Sequence, residues 1–127
     1  NDDLQVWHDS ALQLLKSQPD IDVLLVHTAG FVAPVIEAAR KLGRRVGSDL
    51  AVAAFDDPPF AAWIEGGVTV IREPIELVSA SLAKQALAVL RDQSPPTTQA
   101  IEAELIERFS TRPDLRAGLQ STRKGEH

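Results

Sequence analysis

The stretch AVAAFDDPPF, residues 51–60, decides the fold of this chain. Small apolar residues lead up to Phe55, and two adjacent carboxylates, Asp56 and Asp57, follow before two prolines end the run. A short and almost uninterrupted apolar run is typical of a strand that is covered on both faces of a parallel sheet. We therefore predict a buried strand over 49–55 with acidic side chains at its carboxyl end.

The segments on both sides of this strand alternate between helical and strand patterns. The predicted elements, in chain order, are a helix at 3–17, a strand at 21–26, a helix marked by Val32, Val35, Ile36 and Ala39, the strand at 49–55, a short helical turn at 58–67, a strand at 68–71, a helix at 75–92 and an exposed or edge strand at 100–109. Such alternation predicts an α/β fold, in which right-handed crossovers join parallel strands and helices lie on both faces of the sheet.

Polar side chains follow three of the predicted strands, namely Thr28, Asp56 and Glu73. In an open parallel sheet, the carboxyl ends of the strands line one crevice, and ligands bind there. Carboxylates in such a crevice accept hydrogen bonds from the hydroxyls of a small neutral ligand, each contributing roughly 1.5–3 kcal/mol. These three residues are therefore the candidate ligand-binding set.

Each of these residues also has a structural alternative. An aspartate or threonine after a strand often caps the next helix or closes a turn, which applies to Asp56, Asp57 and Thr28. Glu73 alone would be a favourable charge in the first turn of a helix. Asp57, next to Pro58, is placed to bond local backbone amides, so we predict a mainly structural role for it.

Composition and charge exclude several kinds of site. The 127 residues carry a net charge of −5 and no cysteine, which excludes zinc–thiolate sites and disulfides and disfavours phosphate binding. The histidines are too scattered for a metal site, and neither a phosphate-binding glycine pattern nor a nucleophile beside a base is found. The richest apolar stretch contains His27 and Pro34 and is too short to span a bilayer. We predict a protein that is not an enzyme, uses no cofactor or metal, and makes no membrane contact.

Three segments of the chain resemble LacI/GalR-type transcriptional regulators. DLAVAAFDDPPFAAWIEGGVTVIREP (49–74) resembles the family's strand, Phe-Asp-Asp, short helix and next strand. PDIDVLLVHTAGFVAPVIEAARKLGRRVGSDL (19–50) resembles the segment before it, and AIEAELIERFSTRP (100–113) resembles the last strand, which typically ends in Arg-x-Ser/Thr. The resemblance covers about residues 8–113, with the helix after Pro74 in the expected place.

The resemblance implies one lobe of a periplasmic-binding-protein-like type I fold, in which two lobes enclose a ligand cleft. Residues 1–113 correspond to the latter part of that domain, and the DNA-binding helix-turn-helix, the hinge helix and most of the first lobe are missing. The helix at 75–92 would pack on the other lobe, and 114–127 would form a disordered polar tail. Family members dimerise through this lobe, which implies an interface that includes Ala33, Phe60, Trp63 and Ile64.

At the ligand site, Asp56 keeps the family's ligand-binding carboxylate. The family's Asn-Asp pair falls on Thr28 and Ala29, and its Gln falls on Glu73. A cationic or amine-bearing effector, or the loss of ligand binding altogether, is therefore an alternative to a sugar.

The functional prediction is the effector-sensing part of a cytoplasmic LacI-type regulator that binds a small, sugar-like molecule in the interlobe cleft. Ligand binding there would control a DNA-binding domain absent from this chain. One alternative is a secreted sugar-binding protein of the same superfamily. A second is a metal-dependent hydrolase that uses Asp56 and Asp57, which would need magnesium and further carboxylates.

Overall fold

The computed structural model describes residues 2–91 and 100–114. Its helices are α1 (Asp2–Ser17), α2 (Val32–Lys41) and α3 (Ile75–Leu90), and its strands are β1 (Val23–Val26), β2 (Ala51–Phe55), β3 (Thr69–Arg72) and β4 (Glu104–Ile106). Short 3₁₀ turns follow β1 at Ala29–Phe31 and β2 at Pro59–Ala62 and Ile64–Gly66. The predicted order of elements is confirmed, although β4 is shorter than the strand expected at 100–109.

A four-stranded sheet in the order β1-β2-β3-β4 organises the described residues. The first three strands are parallel, so that Val26 lies beside Ala54 and Ala54 beside Val70. The α/β fold class with a parallel sheet flanked by helices is confirmed. The expectation that the last strand is also parallel is wrong, because β4 pairs antiparallel with β3 and places Ile106 opposite Val70. The crossover rule applies when the intervening helix packs back on the sheet, and α3 does not.

The strand register separates the side chains of the sheet into two faces. One face carries Leu24, Val26, Val52, Ala54 and Val70. It packs against the apolar sides of α1 and α2, which contribute Ala11, Leu15, Val35, Ile36, Ala38 and Ala39 to a single core cluster. The core therefore lies between one face of the sheet and the α1–α2 pair.

The opposite face of the sheet is open among the described residues. Val23, Leu25 and Leu105 are 59%, 57% and 61% exposed, and Phe55 and Ile71 on the same face are half-buried. Helices of the described ranges thus cover one face of the sheet, whereas the alternation pattern predicted helices on both.

Helix α3 leaves the sheet after Pro74 and carries no buried residue. Six of its large apolar side chains are between 50% and 80% exposed, namely Ile75, Leu77, Leu82, Leu87, Val89 and Leu90. A helix with so much exposed apolar surface needs a partner surface to be stable. None of the helices in the described ranges is both long enough and apolar enough to cross a membrane.

Residues 108–111, which follow β4, are built into the sheet. The fully buried Ser110 accepts a hydrogen bond from the Thr69 N–H at 2.8 Å and donates one to the Val52 carbonyl oxygen at 2.5 Å. The hydroxyls of Thr69 and Thr111 lie 2.6 Å apart. This segment therefore joins β2 to β3 near their starts. The predicted tail at 114–127 lies outside the described residues from position 115 onward.

Candidate functional site

Asp56 follows β2 directly, between the ends of β1 and β3. Its backbone N–H donates to the Ile71 carbonyl oxygen at 3.1 Å, and its φ of 71° lies in the left-handed region. Aspartate adopts this region more readily than most residues, because its short polar side chain forms local hydrogen bonds. The residue is exposed, so the end of the strand presents a carboxylate to solvent.

Thr28, near the end of β1, is in direct contact with Asp56. Its hydroxyl donates to Oδ2 of Asp56 at 2.5 Å. Thr28 occupies the N-cap position of the turn Ala29–Phe31, but its side chain makes no capping hydrogen bond. The capping alternative for Thr28 is therefore wrong, and two of the three candidate residues form a pair.

Glu73 follows β3 directly and is exposed. Its carbonyl oxygen accepts a hydrogen bond from the Ile75 N–H at 2.9 Å, which starts α3. Within the described part of the chain, its carboxylate forms neither a hydrogen bond nor an ion pair. The structure thus places Glu73 at the same end of the sheet as Thr28 and Asp56, but not in contact with them.

The carboxylate of Asp57 forms a bidentate ion pair with the guanidinium of Arg108. Arg108 Nη1 lies 2.8 Å from Oδ1, and Nη2 donates to Oδ2 at 2.9 Å. Both side chains are largely buried, with exposed fractions of 11% and 18%. The expected partners of Asp57, local backbone amides, are replaced by a guanidinium from the end of the described chain. Planar, paired contacts of this kind are the strong form of ion pair.

Two further charges extend the Asp57–Arg108 pair. Arg72 Nη1 lies 3.6 Å from Oδ2 of Asp57, and Arg72 Nη2 donates to Glu104 at 2.6 Å. The hydrogen bond and the charge of Glu104, with a smaller effect of Asp57, raise the pKa of Arg72. Glu104, Arg72, Asp57 and Arg108 thus form a continuous series of ion pairs. The series links β3 and the loop after β2 to β4 and to the segment that follows β4.

The Thr28–Asp56 pair has the chemistry of a site for hydroxyl-bearing ligands. The Thr28 hydroxyl oxygen and the exposed Asp56 carboxylate both accept hydrogen bonds. His27 and Phe55, which precede the two residues, contact each other with ring centroids 5.4 Å apart. Polar groups that converge beside aromatic rings are typical of small-molecule sites.

The Asp56–Asp57 pair is not arranged as a pair of metal ligands. Asp57 is already engaged by a guanidinium, and Asp56 accepts a hydrogen bond from Thr28. Over residues 2–91 and 100–114, no three histidine, cysteine, aspartate or glutamate side chains converge to hold an ion. A divalent cation at Asp57 would have to displace Arg108, which argues against the hydrolase alternative.

The four residues predicted for a dimer interface are accessible in the structure. Trp63 is 83% exposed and Phe60 45%, Ala33 is exposed, and Ile64 is half-buried against the core. Ala33 and Ile64 line a groove of about 610 Å³ between α1, α2 and the turn Ile64–Gly66. Phe60 and Trp63 belong to the connection that leads into this turn.

Sequence reasoning missed Arg108 and Arg72. The pairing of Arg108 with Asp57 joins residues 51 positions apart, and no local spacing indicates it. The available signal was charge: Asp57, Arg72 and Arg108 each lie at or just beyond the end of a predicted strand or within an edge strand. Opposite charges at such positions are candidates for pairing once the strand order is known.

Comparisons with known proteins agree with this fold. Residues 1–111 match the family model for the periplasmic binding protein-like domain. The HTH-type transcriptional regulator CelR of Thermobifida fusca is 27% identical over 99 residues, which make up 77% of this chain and 29% of CelR. The chain therefore spans less than a third of the length of this curated relative.

Two solved structures illustrate the likeness in three dimensions. A LacI family transcriptional regulator from Arthrobacter sp. FB24, in complex with lactose, superposes with a TM-score of 0.71 at 22% identity, over 86% of this chain and 41% of that one. The Lac repressor dimer bound to operator and the anti-inducer ONPF superposes with a TM-score of 0.74 at 21% identity, over 84% of this chain and 32% of that one. At these identities the likeness concerns the fold.

Proposed function

We propose that this chain, which belongs to the periplasmic binding protein-like domain family, is part of the effector-binding domain of a LacI/GalR-type transcriptional regulator and that its role is to sense a small, sugar-like effector. The effector binds at the carboxyl ends of the strands, in a cleft between this lobe and a second one. Its binding controls a DNA-binding domain that lies elsewhere in the regulator. The proposed location is the cytoplasm, where operator DNA is found.

The observation that carries this proposal is the Thr28–Asp56 pair at the carboxyl ends of β1 and β2. The carboxylate follows the central strand of the three parallel ones, lies exposed, and is oriented by the Thr28 hydroxyl. A carboxylate in this state binds the hydroxyls of a sugar through charge-assisted hydrogen bonds. In support, the similar regulator from Arthrobacter was solved with lactose.

Glu73 adds a second negative charge to the same end of the sheet. Since its carboxylate has no partner among the described residues, it is available to a ligand. We propose that it contacts the effector together with Asp56. An effector that carries an amine as well as hydroxyls suits two carboxylates better than a neutral sugar does.

The exposed apolar side of α3 supports a two-lobed arrangement. The helix has no buried residue of its own. In the proposed arrangement, its exposed apolar side chains pack against the second lobe. Closure of the two lobes around the effector then changes the relative position of the DNA-binding domains. Regulation requires that the open and closed forms differ in their affinity for the ligand.

Titration of the full-length regulator with sugars tests the proposal. A panel of lactose, maltose, cellobiose, glucose and glucosamine is followed by thermal melting and by calorimetry. We expect at least one sugar to raise the melting temperature, because a ligand at a hundred times its Kd stabilises the folded state by about 2.7 kcal/mol. A panel without any binding, combined with stabilisation by magnesium alone, would contradict the proposed function and favour the hydrolase.

We also propose that the chain forms a homodimer through Ala33, Phe60, Trp63 and Ile64. A tryptophan with 83% of its surface exposed beside an exposed Phe60 is a large apolar area for a monomer. Tryptophan is also enriched among the residues that dominate interface energies. The Lac repressor that superposes on this chain is itself a dimer.

Substitution of Trp63 by serine is expected to weaken the dimer roughly thirtyfold, since truncating a central tryptophan costs about 2 kcal/mol. Trp63 is a better position for this test than Ile64, because Ile64 also packs against the core and its substitution would disturb the fold as well. Light scattering over a concentration series measures the dissociation constant. Leu105→Ser, at an equally apolar exposed position on β4, is the control that should leave it unchanged. A monomeric parent chain would rule out the interface.

A further inference from the structure

The ion pair between Asp57 and Arg108 lies next to the ligand-binding carboxylate without being part of it. We propose that Arg108 is a positioning residue for Asp56: it fixes Asp57, and Asp57 fixes the backbone conformation from which the Asp56 side chain projects. This inference rests on the proposed function for the role of Asp56. It adds that the effector site depends on a residue at the far end of the described chain.

The first step is the backbone conformation of Asp56. Its φ of 71° is one that side-chain-bearing residues rarely adopt. Such conformations persist when the surrounding structure holds the chain on both sides. On the amino-terminal side, β2 and the hydrogen bond from the Asp56 N–H to Ile71 do so. On the other side, the nearest anchor is the carboxylate of Asp57.

The second step is that Arg108 is itself fixed. Its Nη1 also donates to the Val68 carbonyl oxygen at 3.0 Å. Its aliphatic stem lies against Gly67, where an added Cβ would come within 3.0 Å of Cδ. Its own backbone N–H donates to the Thr69 hydroxyl at 2.8 Å. The guanidinium of Arg108 is therefore held in one orientation, unlike that of a mobile surface arginine. Asp57 has one position in which both of its carboxylate oxygens bond this guanidinium.

The third step is the direction of the coupling. Arg108 follows β4, and β4 is joined to α3 through the residues between them in the chain. Arg72 and Glu104 reinforce the same contact from β3 and from the start of β4. A shift of β4 relative to β3 would therefore reach Asp57, and through one peptide unit Asp56. The strand that comes after α3 is thus mechanically connected to the effector carboxylate.

Amide hydrogen exchange tests this connection without any ligand. The amide of Asp56 is the reporter, because its hydrogen bond to the Ile71 carbonyl oxygen lies at the end of β2, next to the segment that Asp57 anchors, and we expect it to open when that segment loosens. Arg108→Met removes the guanidinium but keeps the stem over Gly67, and Arg108→Lys keeps the charge but not the fork. Arg112→Ala is the matched control, since Arg112 is an exposed arginine of the same segment that pairs with Asp114 and Glu107.

We expect Arg108→Met to lower the protection of the Asp56 amide at least tenfold relative to the amides in the middle of α1. Arg108→Lys should restore part of it, and Arg112→Ala should leave it unchanged. Asp57→Asn, a milder change on the other side of the pair, should reproduce the loss. Unchanged protection of Asp56 in Arg108→Met would overturn the proposal. An equal loss at Asp56 and in α1 would also overturn it, because Arg108 would then act on global stability alone.

The two proposals fail in different experiments. The exchange measurement uses the free chain, so its outcome does not depend on which effector binds. The sugar titration decides the proposed function even if Arg108 has no effect on Asp56. Where a sugar does bind, Arg108→Met should raise its Kd while Arg112→Ala does not.

Discussion

Replacement of Asp56 by alanine is expected to weaken effector binding in the full-length regulator by tenfold to a hundredfold. The lost interaction is a charge-assisted hydrogen bond, or two, which contribute roughly 1.5–3 kcal/mol each. Folding stability should fall by only about 1 kcal/mol, because alanine tolerates the left-handed backbone at this position less well than aspartate does. Calorimetric titration and thermal melting separate the two effects.

A second substitution distinguishes charge from backbone conformation. Asp56→Asn keeps a short polar side chain suited to a positive φ, so its melting temperature should match that of the parent protein while its effector affinity still falls. Asp20→Ala removes a carboxylate at an exposed position away from the crevice and should leave both properties unchanged. An Asp56→Ala variant that binds effector as tightly as the parent protein would show that the site is elsewhere.

Most of the fold followed from local patterns. The apolar runs around Val26, Val52 and Val70 predicted three strands, and the spacing of apolar residues predicted α1 and α3. These elements are determined by short-range periodicity, which the sequence displays directly. The direction of β4 was predicted incorrectly, because it depends on where α3 packs, and α3 has no buried residue in the described part of the chain.

The candidate site was predictable in part for the same reason. Thr28 and Asp56 follow neighbouring parallel strands, and the register brings them together. The local sequence did not indicate that the Thr28 hydroxyl would donate to Asp56 instead of capping the next turn, since either arrangement provides this hydroxyl with a hydrogen-bond partner. The partner of Asp57 could not be predicted from local patterns, because Arg108 follows β4, a strand whose position in the sheet was unknown.

The Asp57–Arg108 pair leads to the second large effect, on stability. Asp57→Ala should lower the free energy of unfolding by about 2–3 kcal/mol, because it leaves the largely buried guanidinium of Arg108 without its carboxylate. Removal of one partner from a fully buried pair costs about 3–5 kcal/mol, and the exposed fractions of 11% and 18% reduce this figure. The melting temperature should fall by roughly 10 °C for a domain of this size.

The chain contains a matched control for this substitution. Arg112 also makes two hydrogen bonds to one carboxylate, from Nε to Asp114 at 3.0 Å and from Nη2 at 2.9 Å, but the two side chains are 43% and 60% exposed. Asp114→Ala should therefore change the melting temperature by less than about 2 °C, since exposed ion pairs contribute little. The double variant Asp57→Ala/Arg108→Met should be more stable than Asp57→Ala alone, because it removes the unpaired charge together with its partner. Equal melting temperatures for Asp57→Ala and Asp114→Ala would mean that burial does not strengthen the Asp57–Arg108 pair, and Asp57 would then be an ordinary surface carboxylate.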